Sequence, residues 1–466
     1  MSSNALDLSR LIDRLPVRSF HVGLIALCSF LLVLDGFDTQ VIGYVAPALV
    51  AEWKINRTAL GPIFSAGLFG LMLGAAMFGP VADRYGRRPT LMTCVATFAV
   101  LTLLSSTSSS VTEMMAYRFL AGLGLGGAMP NAIALVAEYS PARVRGRMVT
   151  ILICGFSVGA ALGGFFAAWV LPVWGWRPVI QIGGALPIVM LPVMWVYLPE
   201  SLCFLALKDP HHPGIVKLLG RVAPDHPVPA LTAFSSGAHE ETQASPKLLF
   251  THGRTPTTLL LWIGFFMNLI VLYFLASYLP TMLHANGLAL GSALRATGVY
   301  QIGGIVGAVT IGVLIDRFTP AAVIGLVMAL GTAFIALIPM AQADFTMICV
   351  GTFGAGFCIV GGQIGANAFA GTVYPTAARS TGVGWALGVG RFGSVTAPLM
   401  VSALLAAHWP IGNIFYAAAV PTLLAALAVF LAGLAHRRNQ QATAASNLKV
   451  VQGSSAALAD GSSIGF

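Results

Sequence analysis

GAAMFGPVADRYGRRP, residues 74–89, and GAVTIGVLIDR, residues 307–317, decide the architecture of this chain. Each sets two glycines five apart, then an Asp-Arg pair, and every matched position lies 233 residues further on. Pro141 with Arg145 recurs as Pro375 with Arg379, at an offset of 234. Two motifs repeating at nearly one offset, each where a long apolar run meets a basic turn, mark a duplicated chain. The glycines, among them Gly79, thin one helix face so that a neighbouring helix can close against it. An Asp ending such a helix faces another helix's N-terminus or an Arg, a charge latch that breaks and re-forms. Asp83, Arg84 and Arg87 in the first half and Asp316 and Arg317 in the second are therefore candidate gate residues. Glu138 and Arg145, beside the basic cluster at 143–147, are expected to join them. The competing reading is that these charges only anchor helix ends among lipid headgroups.

Outward from the repeats, the composition agrees. Hydrophobic residues make up 57% of the 466 and charged residues only 9%, whereas a soluble chain carries roughly a quarter charged. Lipid is the partner solvent of most of its surface. About 20 apolar residues cross a bilayer, and twelve stretches qualify: 20–48, 58–82, 89–110, 113–138, 147–172 and 176–199, then 256–284, 293–316, 320–341, 345–373, 381–406 and 410–435. The expected fold is all-α and membrane-embedded, twelve helices in two pseudo-symmetric bundles of six. Residues 1–19 form an N-terminal segment, 20–199 and 256–435 the bundles, 200–255 a polar linker, and 436–466 a disordered tail.

The net charge of +9 does not point to nucleic acid, because the basic residues fall in short clusters between apolar runs. Loops on the N-terminal side hold Arg10, Arg14, Arg18, Arg88, Arg143, Arg147, Lys208, Lys217, Arg221, Arg437 and Arg438 besides the motif residues. The opposite loops hold only Lys54, Arg57, Arg177 and Arg295. This bias places both termini in the cytoplasm. The six cysteines lack metal-ligand spacing and read as small apolar fillers. The absence of G-x4-GK[ST] speaks against self-contained ATP drive, and no metal cluster or catalytic triad points to an enzyme.

Ionisable groups inside the spans carry the functional argument, since each costs several kcal/mol in hydrocarbon. LDGFDTQ, residues 34–40, puts Asp35 and Asp38 on one face of the first span. Two neighbouring carboxylates in low dielectric cannot both ionise cheaply, so one is poised to carry a proton; a structural salt bridge is the alternative. Arg118 in the fourth span lies at a depth that allows pairing with Asp38, in which case protonation of an Asp would release Arg118 and couple proton binding to movement, or it snorkels to the outer headgroups. Arg391, mid-span in GVGRFGS (388–394), has no acid at its depth in its own half. Its planar fork suits a ligand carboxylate, or else it bridges to Asp35 or Asp38. The neighbouring Gly388, Gly390 and Gly393 leave room beside it, while Gln301, Gln363, Asn367, Asn268 and Tyr273 are further candidates to line a cavity.

GPVADRYGRRP (79–89), RFLAGLGLGG (118–127) and LPES (198–201) resemble the signatures of the major facilitator superfamily over 20–435. DGFDT (35–39), GLGLGGAMPNA (122–132) and GWALGVGRFG (384–393) resemble its aromatic acid:H+ symporter family. That resemblance implies a bacterial inner-membrane importer of benzoate, hydroxybenzoates, protocatechuate, hydroxyphenylpropionates or muconate for catabolism, driven by protons and acting as a monomer without cofactor or metal. It implies the proton and substrate roles for Asp35 and Asp38, the substrate role for Arg391, and the gate for Asp83, Arg84 and Arg87. Gln40, directly after DGFDT, departs from the family's pattern. Muconate, sugar or drug transport and a non-transporting chemoreceptor are the alternatives.

Overall fold

The computed structural model describes residues 6–224, 233–235, 246–251, 253–342, 344–375 and 378–460. The remaining parts of the expected terminal segments and of the linker lie outside the described residues. Twelve helices are long and apolar enough to cross a membrane. They are α1 (Ser19–Trp53), α2 (Leu60–Tyr85), α3 (Arg87–Ser105), α4 (Val111–Tyr139), α5 (Ala142–Trp174) and α6 (Arg177–Tyr197). The second six are α7 (Thr255–Ala285), α8 (Leu290–Arg317), α9 (Pro320–Met340), α10 (Phe345–Val373), α11 (Arg379–Ala406) and α12 (Ile411–Asp460).

Local chemistry sets the breaks. Gly86, at φ 105°, ends α2 and turns the chain into α3, and Gly175, at φ 74°, separates α5 from α6. A side chain would strain both positions. Ser110 caps α4 by accepting from the Glu113 amide, and Asp344 caps α10 from the amides of Thr346 and Met347. Most helices run a few residues past the expected apolar windows, since a backbone already hydrogen-bonded in a helix has no reason to unwind at the headgroups. The backbone of α12 stays helical to Asp460, whereas a disordered tail was expected from 436. Ala, Gln, Leu and Lys in that stretch are strong helix formers, and the expectation weighed only its lack of an apolar face.

The duplication is visible in the packing. Within the first half α2 packs on α4, α1 on α5, and α3 on α4 and α6. Within the second, α8 packs on α10, α7 on α11, and α9 on α10 and α12. The halves meet where α2 lies on α11, α5 on α8 and α1 on α7; the first two contacts exchange under the same pseudo-two-fold. Glycines permit the closest crossings. A Cβ on Gly155, Gly159 or Gly163 would enter α1, one on Gly74 would strike the Leu123 carbonyl, and one on Gly307 the Phe357 carbonyl.

The segments outside the bundles are more ordered than their polarity implies. Helices Leu8–Arg14, Leu202–Lys208 and Pro213–Val222, and a two-residue parallel pairing of Leu6–Asp7 with Phe234–Ser235, cover the termini-side end of the first half. Leu8, Ile12, Leu205, Ile215, Leu219 and Phe234 join one hydrophobic core with the first bundle. Their apolar residues recur at helical spacing between charges, a pattern hidden by average polarity.

Candidate functional site

The halves are sealed on the face opposite the termini. There Ser65 donates to the Val395 carbonyl at 2.8 Å and Ser402 to the Thr58 carbonyl at 2.9 Å. The Phe64 and Tyr278 rings meet edge to face at 5.0 Å, and a Cβ on Gly164 would lie 3.1 Å from the Gly298 backbone. On the termini side of the same interface helices, Gly79, Gly146, Gly312, Gly384 and Gly388 have no atom within 4 Å of a Cβ position. The molecule is closed at one end and open at the other.

Between these ends lies the cluster of buried charge. Asp38, fully buried, is held by Arg118 from α4. The Arg118 guanidinium donates to Asp38 Oδ1 at 3.2 Å, to Oδ2 at 3.3 Å and to the Asp38 carbonyl at 3.0 Å. Thr102 of α3 donates to Oδ1 at 2.7 Å and accepts from Arg118 at 3.3 Å. The geometry is the fork-on-carboxylate pairing that a dry interior requires, and Arg118, only 4% exposed, does not reach the headgroups.

Asp35, one turn nearer the open end, is 2% exposed; among the described residues it has no cation in contact, and its one side-chain partner is the Thr39 hydroxyl at 3.3 Å. Arg391 stands across the cleft, near enough to act on Asp35 electrostatically. The Arg391 guanidinium donates to the Tyr273 hydroxyl at 3.0 Å, and among the described residues no carboxylate lies within ion-pair distance of it. Gly388 leaves open space beside it as the sequence implies, but Gly390 and Gly393 do not. They are where α11 backs onto Phe265, Phe266 and Leu269 of α7. Gly36, between the two acids, likewise serves packing: a Cβ there would enter the Phe156 backbone of α5.

A cavity between the halves is walled by Thr39, Gln40, Arg118, Tyr273 and Ser277, with Ile63, Phe64, Leu68 and Leu71 as its apolar side. Four expected cavity residues stand elsewhere. Gln301 is spent on the Tyr44 hydroxyl. Gln363 donates to Asn367 at 3.2 Å and accepts from Asn268 at 2.9 Å, an amide chain inside the α7–α10 packing. These groups act as interhelical glue.

The expected gate residues divide into two sets. Asp83, Arg84, Asp316 and Arg317 are exposed, with no ion pair among the described residues. Arg87, Glu138 and Arg145 are engaged in two separate clusters: Arg87 donates to Glu138 at 2.6 Å and Ser201 donates to the other Glu138 oxygen, while Arg145 pairs with Asp13 of the N-terminal helix. Arg145 also donates to the Ala137 carbonyl at 3.0 Å and the Ser140 carbonyl at 3.2 Å. Sequence reasoning did not single out Glu200, although it lies within the quoted LPES. One of its carboxylate oxygens accepts from the Arg87 and Arg88 amides at 2.8 and 3.1 Å, at the positive N-terminus of α3. Thr102 and Asp13 carried no sequence signal.

The family model of the Major Facilitator Superfamily matches residues 28–295 and again 261–461. The chain belongs to the major facilitator superfamily. It is a multi-pass membrane transporter, not an enzyme. It is 39% identical to the gallate transporter of Pseudomonas putida over 445 residues, 94% of this chain and 98% of the relative. It is 38% identical to the 4-hydroxybenzoate transporter PcaK of Pseudomonas aeruginosa, over 92% of this chain and 96% of that one. These relatives match the aromatic-acid resemblance read from DGFDT and GVGRFGS. Among solved structures, the xylose transporter XylE from E. coli superposes with a TM-score of 0.67 at 20% identity, covering 87% of this chain and 95% of the other, and so shares the fold.

Proposed function

We propose that this transporter imports small aromatic carboxylates with protons across a bacterial inner membrane, alternating access between two six-helix halves. One observation carries the reading: among the described residues Arg391 is a mid-membrane cation without a carboxylate, steadied by Tyr273 at the edge of a cavity with one apolar side. A ligand carboxylate supplies the missing anion bidentately while its ring lies against Phe64 and Leu68. The Lys/Arg bias puts both termini in the cytoplasm, so the open end faces inward and the sealed end outward.

Coupling follows from the same charges. With Arg391 free, its field lends a negative Asp35 some support against burial. Once a substrate anion neutralises Arg391, that support is withdrawn and Asp35 is left in low dielectric, where a proton is the remaining way to shed charge. Substrate anion and proton then travel together. Arg118 and Asp38 are already mutually neutralised and hold α1, α3 and α4 as one body. Asp83, Arg84, Asp316 and Arg317 lie at the open end, ready to find partners when it closes. Gallate and 4-hydroxybenzoate transport by the relatives supports the substrate class.

The experiment is uptake of labelled 4-hydroxybenzoate into proteoliposomes with an imposed proton gradient. Accumulation should follow the gradient and fall to background in Arg391→Ala. Near-normal uptake by that variant removes Arg391 from the substrate site, and transport of neutral solutes with indifference to organic anions refutes the reading altogether.

A further inference from the structure

Two polar side chains in the cavity have no assignment in the scheme above. Thr39 is bonded to Asp35, Arg118 to Asp38 and Tyr273 to Arg391. Gln40 and Ser277 also line the cavity and are 6% and 9% exposed, yet among the described residues neither side chain has a hydrogen-bond partner. Both line the cavity with no protein partner among the described residues, so they are placed to pair with a group that enters it.

We propose that Gln40 and Ser277 form the subsite that reads hydroxyl groups on the substrate ring, so that the transporter selects hydroxylated aromatic acids over benzoate. The inference rests on the aromatic-carboxylate reading and adds its specificity. Ser277 lies four residues beyond Tyr273 on α7, about 6 Å further toward the sealed end. Gln40 lies five residues beyond Asp35 on α1 in the same direction. A carboxylate fixed at Arg391 and Tyr273 therefore points the far edge of its ring at this pair, with Ile63, Phe64 and Leu68 against the apolar faces. A glutamine amide and a serine hydroxyl each donate and accept, which matches a phenol that also does both. An unsubstituted ring offers neither group a partner, the arrangement that discriminates most strongly against an analogue lacking the hydroxyl.

The test is calorimetric binding of benzoate, 4-hydroxybenzoate and 3,4-dihydroxybenzoate to the full chain in lipid nanodiscs. The wild-type protein should bind the hydroxylated acids at least about tenfold more tightly than benzoate. Gln40→Leu and Ser277→Ala should each erode that preference several-fold while benzoate affinity stays within about twofold. Ser277→Ala removes one oxygen and keeps the test decisive should Gln40→Leu fold poorly. If the variants bind aromatic acids with an unchanged hydroxyl preference, or lose all acids equally, the subsite is overturned and the transport reading stands. If the wild-type protein binds no aromatic acid, both fall.

Discussion

Replacing Asp38 by Asn isolates the buried ion pair in a single oxygen. The substitution keeps the acceptor that Thr102 meets at 2.7 Å and Arg118 at 3.2 Å, and it keeps the backbone carbonyl at 3.0 Å. It replaces Oδ2, which Arg118 meets at 3.3 Å, by an NH2 donor facing another donor, and it leaves the guanidinium charge uncompensated. A carboxylate can escape such a situation by taking a proton; a guanidinium cannot. Removing one partner of a buried pair costs about 3–5 kcal/mol, and the retained bonds place Asp38→Asn near 3. That is more than a hundredfold in the folded-to-unfolded ratio. Arg118→Gln should cost less, because the stranded Asp38 can neutralise itself. The double variant should recover about 2 kcal/mol of the sum of the singles. Denaturant unfolding of the four proteins in mixed micelles measures this cycle, and uptake assays accompany it. Additive single effects, or a more harmful Arg118→Gln, would refute the argument that the pair exists to neutralise a guanidinium in a dry interior.

Three further outcomes follow from the geometry. Gly79→Leu and Gly312→Leu add side chains where nothing lies within 4 Å. They should leave substrate Kd within about twofold yet slow turnover at least about tenfold by obstructing closure, whereas Gly74→Leu, aimed at the Leu123 carbonyl, should prevent folding; turnover unchanged in the first pair would show that those faces never meet another helix. Glu200→Gln weakens the charged cap on α3 and should lower stability by about 1–2 kcal/mol in thermal unfolding, with substrate affinity intact. Tyr273→Phe removes the hydroxyl to which Arg391 donates and should weaken carboxylate binding several-fold without abolishing uptake, as measured by equilibrium binding and flux together.

The fold was legible because lipid imposes a one-dimensional rule. Apolar length, basic loops and a repeat at a fixed offset each constrain topology without any knowledge of contacts. The site was legible only where the rule is broken. Asp35, Asp38, Arg118 and Arg391 stand out because charge in hydrocarbon is rare, and the structure brings all four to the region between the halves. Amides and glycines are common in membrane helices for packing alone, so sequence could not separate Gly388, which faces open space, from Gly390 and Gly393, which face α7. For the same reason Gln363 and Asn367 drew notice while Ser277 did not. The N-terminal helix was missed because a seven-residue amphipathic turn has a polar average, and its value appears only once Asp13 is seen beside Arg145.

The two arginines inside the membrane spans explain why a duplicated chain need not treat its halves alike. In the first half the cation is matched internally: Arg118 has Asp38 and Thr102, and three helices are tied together whatever the substrate does. In the second half Arg391 has, among the described residues, only a neutral phenol. An unmatched charge beside a cleft is a cost that the halves bear as long as the cleft is wet and cannot bear once it dries. Closing the open end without an anion would strand Arg391 in low dielectric, and closing it with an anion but no proton on Asp35 would strand a carboxylate there instead. Only two loads avoid both penalties: an empty site in which Asp35 answers Arg391, and a full one in which substrate answers Arg391 and a proton answers Asp35. Under the proposed mechanism strict coupling arises from electrostatics at the cleft, and neutralising Arg391 and Asp35 together should yield a protein that still rocks but no longer accumulates its substrate against a gradient.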